Sequence, residues 1–220
     1  ASGSPPFKLD GRSWTALHFG RKVKAILGAG SRTLAAVGRS VFTLDKLEPT
    51  KLADAPGAIR ALAASGGSVV IATDGGLMKL VGSVFRPVPR CPKTVRALVS
   101  ERWALVDRGV FDLKTLRTVA LPADIQIVQA TTVGNDLVGV SRLEAAVELV
   151  TIKGGKLARE PVPVRDPAPI VGVVADKQAR VAIAMSDGRI ALRDNGAWTI
   201  SEVREQLPAP RPGPAAAKSP

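Results

Sequence analysis

Apolar residues in this chain fall into short runs of four or five, cut by Gly, Asp, Asn and Pro. The runs read in sets of four, which predicts a repeated unit of strands a, b, c and d. Strand a is Val23-Lys24-Ala25-Ile26-Leu27, then Ile59-Arg60-Ala61-Leu62-Ala63, then Val95-Arg96-Ala97-Leu98-Val99. Looser copies start at Val128 and Val171. Strand b follows at 34–37, 69–72, 103–106, 137–140 and 181–184, and strand c at 41–44, 77–80, 110–113, 147–150 and 190–193. The b runs are continuously apolar, as expected of a sheet covered on both faces. Strand d is outermost and carries Pro49, Pro87 and Pro161, because a proline at a sheet edge interrupts no ladder.

A hairpin turn recurs at Asp10-Gly11, Asp45-Lys46, Gly82-Ser83, Lys114-Thr115, Gly154-Gly155 and Asn195-Gly196, about 32 to 41 residues apart. Further turns are expected on Gly38, Asp74-Gly75-Gly76, Asp107-Arg108-Gly109 and Asp187-Gly188. The period is that of one propeller blade, so the expected fold is all-β, a β-propeller of four-stranded antiparallel blades. Phe7-Lys8-Leu9 and Trp14 to Leu17 supply only strands c and d. The count is five complete blades plus an N-terminal half blade, which leaves a five-bladed ring or a six-bladed ring with an irregular closing blade. The extra hairpin caps a five-bladed ring, or takes strands from a partner or from upstream sequence, or is completed by C-terminal residues. An unpaired blade edge invites strand pairing with another chain. Residues 1–6 read as a flexible leader, 7–206 as the propeller and 207–220 as a Pro/Ala-rich disordered tail.

Charge sharpens this picture. The chain carries a formal charge of +12. Residues 1–126 hold 19 Lys/Arg and 9 Asp/Glu, while residues 127–220 hold 12 and 10. A ring would place the excess on one side and attract an anionic partner. Lys24, Arg60 and Arg96 occupy the same position of strand a in three consecutive repeats, and Arg21, Lys22, Arg90 and Lys93 lie in the connections that lead into strand a. Together they form a candidate crescent able to hold carboxylates or phosphates. The competing explanation is that each is a solvated rim residue or pairs with a local acid.

Catalytic constellations are sparse. The single histidine, His18, has no Gly-x-Ser-x-Gly elbow beside it. The single cysteine, Cys91, forms no intrachain disulfide, and it is either a bland loop thiol or one activated by its basic neighbours. Asp74, Asp107, Asp187 and Asp194 fall in expected turns, and turn formation accounts for them. Aromatics make up 4% of the chain, too few to interleave with cations as single-strand nucleic-acid binders do. No cofactor, metal or membrane span is expected.

Asp10-Gly11-Arg12-Ser13-Trp14 and Asp194-Asn195-Gly196-Ala197-Trp198 resemble degenerate Asp boxes, the turn of the BNR repeat. Ile71-Ala72-Thr73-Asp74-Gly75-Gly76-Leu77 is similar to the segment that precedes that turn in photosystem-assembly-factor-like and regulator-type propellers. Lys8 and Leu192 stand where the family has Ser or Thr, and the Trp comes one residue early. The resemblance implies that these Asp and Trp residues serve the fold. BNR-like sialidases use a tyrosine nucleophile, and this chain has no tyrosine.

The expectation is therefore a non-catalytic binding module, an accessory subunit whose basic face docks on an acidic protein. The second expectation is a propeller that binds small anions or sugar acids with lyase or hydrolase activity, and the third is nonspecific nucleic-acid binding. The start at Ala1 without a methionine reads as processing or as a cut chain, and the compartment is left undecided, with an extracytoplasmic location, periplasmic or secreted after removal of a signal, favoured over a cytoplasmic one.

Overall fold

The computed structural model describes residues 7–10, 13–16, 23–29, 32–44, 49–65, 67–144 and 146–202. The leader, the tail, His18, Arg21, Lys22 and the Asp45-Lys46 turn lie outside the described residues. Among those described, β1 (Phe7–Asp10) and β2 (Ser13–Ala16) form a two-stranded antiparallel sheet, the expected half blade. Blade one is β3 (Val23–Ala29), β4 (Arg32–Val37), β5 (Ser40–Thr43) and β6 (Thr50–Asp54). Blade two is β7 (Ile59–Ser65), β8 (Ser68–Thr73), β9 (Gly76–Val81) and β10 (Val84–Pro87). Blade three is β11 (Val95–Leu98), β12 (Trp103–Val106), β13 (Gly109–Asp112) and β14 (Arg117–Ala120). Blade four is β15 (Ile127–Val133), β16 (Asp136–Leu143), β17 (Ala146–Lys153) and β18 (Lys156–Pro161), and blade five is β19 (Ile170–Ala175), β20 (Val181–Met185), β21 (Arg189–Asp194) and β22 (Ala197–Glu202). Each of these five sheets runs in chain order from first strand to fourth, with neighbours antiparallel.

Four apolar layers join the five blades. Leu34, Ala36 and Val41 of blade one meet Leu62, Ile71 and Met78 of blade two. Ala72 and Leu77 then meet Ala104, Val106 and Phe111. Trp103, Leu105 and Val110 meet Leu137, Val150 and Ile152, and Val138, Val140 and Leu149 meet Val181, Ile183 and Met185. Strands b carry apolar residues at consecutive positions because odd and even side chains enter different layers. Each buried Leu, Ile or Val adds about 1.5–3 kcal/mol relative to exposure.

All five blades share one irregularity. The ladder between first and second strands shifts between Val23 and Ala25, Ile59 and Ala61, Val95 and Ala97, Ile127 and Gln129, and Ile170 and Gly172. This β-bulge leaves one residue of the first strand out of register: Lys24, Arg60, Arg96, Val128 or Val171. It also corrects the sequence alignment of the last two repeats. The equivalents of Val23 are Ile127 and Ile170, one residue earlier than the apolar runs starting at Val128 and Val171 suggest. The buried first residue of the strand sets the phase, and the exposed valine after it occupies the bulge.

The far face of blade five differs from its counterparts. Val41, Leu77, Val110 and Leu149 are buried by the following blade, as are Ala36, Ala72, Leu105 and Val140. At the matching positions Ile190 and Ala184 are only half-buried, and on the same face Val174 is 65% and Leu192 42% exposed. The first strands β3 and β7 pack closely, as do β15 and β19. Neither β11 and β15 nor β19 and β3 approach as closely among the described residues.

Backbone crowding is sharpest at Gly109, where a Cβ would lie 2.5 Å from the Val119 carbonyl oxygen. We expect Gly109→Ala to destabilise the fold by about 1–3 kcal/mol in urea denaturation. Leu149→Ala should cost about 2–4 kcal/mol, whereas Leu192→Ala, on the uncovered face, should stay within about 0.5 kcal/mol of the parent.

Candidate functional site

The bulge explains how the three matched cations reach solvent. A residue left out of the ladder is not held in the alternation of the sheet, and Lys24, Arg60 and Arg96 are all exposed at the same step of consecutive first strands. Their engagements differ. The Arg60 guanidinium lies 3.3 Å from the Asp74 carboxylate and donates to the Thr73 carbonyl at 3.3 Å. Both partners of that ion pair are more than half exposed, so solvent screens it strongly. Arg96 reaches across to blade four and donates to the Ile127 carbonyl. Lys24 makes no hydrogen bond or ion pair among the described residues. The row is therefore partly committed to the fold: Arg96 staples two blades, Arg60 leans on its own hairpin turn, and Lys24 has no partner among the described residues.

Two cavities sit beside this row. One of about 570 Å³ is lined by Arg96, Asp107, Arg108, Gln126 and apolar residues of blades three and four. A second, of about 360 Å³, is lined by Lys93, Thr94, Asp107, Arg108 and Thr118. The Asp107-Arg108 turn belongs to both, so the structure brings Arg96 and Lys93 to the same turn. Arg108 was missed by pattern reading, although its turn connects strands at the same end of the blade as the segments entering strand a. Arg90 is exposed, with a positive φ of 59°, and lines neither of these two cavities.

Of the acids expected in turns, Asp187 shows the turn hydrogen bond directly. Asp187 accepts the Arg189 backbone N–H at 3.1 Å and pairs with its guanidinium at 2.7 Å. Asp194 precedes the Asn195-Gly196 turn, whose two residues have φ of 50° and 81°, the left-handed pair a tight hairpin needs. Trp198 packs against the layer between blades four and five, and its indole N–H donates to Glu160 at 2.7 Å. No group of three His, Cys, Asp or Glu side chains able to hold a metal occurs among the described residues. Cys91 is half-buried, and burial pushes its thiol up, so its basic neighbours do not activate it.

Among the described residues, the most enclosed acid is Asp112. Burial acts to raise its carboxyl, but hydrogen bonds from the Arg102 guanidinium at 3.1 and 3.3 Å and from the Lys114 backbone N–H at 2.8 Å prevail. They hold it below the usual carboxylate range. Arg102 also lies over the Trp103 ring, 4.8 Å from its centroid. This pair anchors the turn into β14 and is structural.

No protein-family model matches the sequence, and a search of curated proteins gives no match. Solved structures do match. The chain superposes on streptogramin B lyase with a TM-score of 0.57 at 16% identity, covering 84% of this chain and 70% of the other. On PorZ, a surface component of the type-IX secretion system of Porphyromonas gingivalis, the TM-score is 0.56 at 16% identity, over 84% of this chain and 28% of that one. On the WD40 β-propeller domain of Doa1 it is 0.54 at 11% identity, over 79% and 64%. The chain thus spans less than two thirds of the length of PorZ and of the Doa1 domain. At such identities the likeness is one of fold, and together with five four-stranded antiparallel sheets it identifies a β-propeller. These neighbours include both an enzyme and a WD40 domain, so the fold does not decide between catalysis and binding. No helix among the described residues is long and apolar enough to cross a membrane.

Replacing Asp112 with Ala should lower stability by about 3 kcal/mol, because it strands the Arg102 charge in a largely enclosed site. Since the folded carboxyl titrates lower than the unfolded one, the pair's contribution is present above about pH 4. It disappears as pH falls through the folded value. Thermal melts from pH 7 to pH 2 should therefore converge for parent and variant at the acid end.

Proposed function

We propose that this propeller is a non-catalytic docking module that holds an acidic surface of another protein against its cationic row. The observation that carries this is the outward placement of Lys24, Arg60 and Arg96 at one repeated bulge, with Lys93 and Arg108 grouped at the neighbouring turn. Exposed cations at matched positions of adjacent strands repel one another, and a carboxylate-bearing surface relieves that repulsion. The resemblance to degenerate BNR repeats fits this assignment, since Asp194 and Trp198 serve the turn and the packing.

A second reading rests on the larger cavity. Arg96 and Arg108 both line about 570 Å³ of space beside Gln126 and Asp107, and their two guanidinium groups suit a small carboxylate or phosphate. In that case the partner is a small anion and not a protein surface.

The two readings separate by experiment. The triple variant Lys24→Ala/Arg60→Ala/Arg96→Ala should lose its acidic partner in native mass spectrometry of complexes, with a melting temperature within about 4 °C of the parent. Retention of the partner by the triple variant would remove the docking assignment. Titration calorimetry with citrate and phosphate addresses the second reading: binding at micromolar concentration that is abolished by Arg108→Ala would establish the anion site instead.

A further inference from the structure

A separate groove lies at the opposite end of blades two and three, between the outer hairpin of β9 and β10 and the turn that follows β13. Its volume is about 580 Å³. Val81, Pro87, Val88, Leu113 and Leu116 give it apolar walls. Val81 is 52% exposed, and Val84, directly opposite it across the hairpin, is 56% exposed. Three cations also line the groove: Lys79, Arg86 and Lys114. None of them makes a salt bridge among the described residues. Of the other charged lining residues, Arg102 is engaged by Asp112, and Glu101 is a lone acid.

The register brings two of these cations together, as it does Lys153 and Lys156 in the outer hairpin of blade four, but here the pair lines a groove. Lys79 and Arg86 are cross-strand partners, with Lys79 directly opposite Arg86. Like charges at such a position destabilise a sheet, and here neither cation makes a salt bridge among the described residues. The fold therefore tolerates an unfavourable contact at the mouth of an apolar groove, and an anionic ligand relieves it. No aromatic side chain lines the groove, so there is no platform on which a nucleic-acid base could stack.

We propose that this groove binds a short acidic peptide segment bearing aliphatic or aromatic side chains. Its carboxylates sit between Lys79, Arg86 and Lys114, and its apolar side chain covers Val81 and Val84. The site is independent of the bulge row and does not depend on it.

The experiment is a selection of random dodecapeptides on the full chain at about 150 mM salt, where surface charge is already substantially screened. Peptides rich in Asp or Glu around Leu, Ile, Val or Phe should be enriched. Binding of the selected peptides should then be measured by fluorescence anisotropy against Lys79→Glu and against Arg86→Glu. Each substitution places a carboxylate opposite a remaining cation, so each should keep or raise the melting temperature while weakening the peptide about tenfold or more. Lys153→Glu on blade four makes the same change of net charge outside the groove and should leave peptide affinity unchanged. The proposal falls if no acidic-apolar consensus emerges, or if Lys79→Glu binds the selected peptides as the parent does. It falls equally if Lys153→Glu weakens them as much, or if a labelled single-stranded DNA 20-mer binds at this salt more tightly than the peptides and is lost in Lys79→Glu. Loss of peptide in Lys79→Glu with partner retention in the bulge-row triple variant would leave the groove standing while removing the docking assignment.

Discussion

Everything in this molecule follows from the need of each small sheet to bury both of its faces. A lone four-stranded sheet of such short strands has two apolar surfaces and no core of its own. Stacking solves this for the inner blades, and the four layers between Leu34 and Met185 are the outcome. Polar groups beside these layers are paired across blades. Trp103 sends its indole N–H to the Asn135 carbonyl of the next blade, and Glu160 of blade four receives both Trp198 and Arg193 of blade five. The same rule makes the last blade anomalous, because its far face is built like the others yet has Val174 and Leu192 in solvent.

The repeated bulge is the second consequence of stacking. First strands converge, and a straight strand in each would crowd its neighbours, whereas a bulge bends the strand and sharpens its twist. It also releases one side chain per blade from the ladder. That position is exposed in every blade, and its occupants are Lys, Arg, Arg, Val and Val in order. The cationic row is thus a by-product of blade geometry on which charge has been placed.

The strand pattern was legible because it rests on local rules. Runs such as Trp103–Val106 and turns such as Gly154-Gly155 carry their own signal, and the structure puts them where the pattern does. The half blade was legible for the same reason. Register across the bulge was not, since an extra residue in one strand leaves no mark in hydrophobicity, and Ile127 and Ile170 were passed over for the valines that follow. The partners of the cations were also hidden. Arg96 meets a carbonyl on the next blade, Arg108 joins Lys93 through a turn, and Lys79 opposes Arg86 across a hairpin. All three relations depend on which strands lie side by side, not on spacing along the chain.

The charge asymmetry between the two halves is deeper than the residue counts. In blades four and five the arginines are largely engaged: Arg159 with Asp124 and Glu148, Arg180 with Asp176, Arg189 with Asp187, Arg193 with Glu160. In blades one to three the described ion pairs are fewer, and Lys24, Lys79, Arg86, Lys93 and Lys114 have none among the described residues. Field strength at a surface follows uncompensated charge, not composition. An anionic partner of the kind proposed would be drawn to the first three blades. If it continues along the bulge row it passes from Lys24, Arg60 and Arg96 to Val128 and Val171, exposed valines with no charge to offer. A surface complementary to the whole row has to change from acidic to apolar along its length, so shape and sequence order, and not charge alone, would set its orientation.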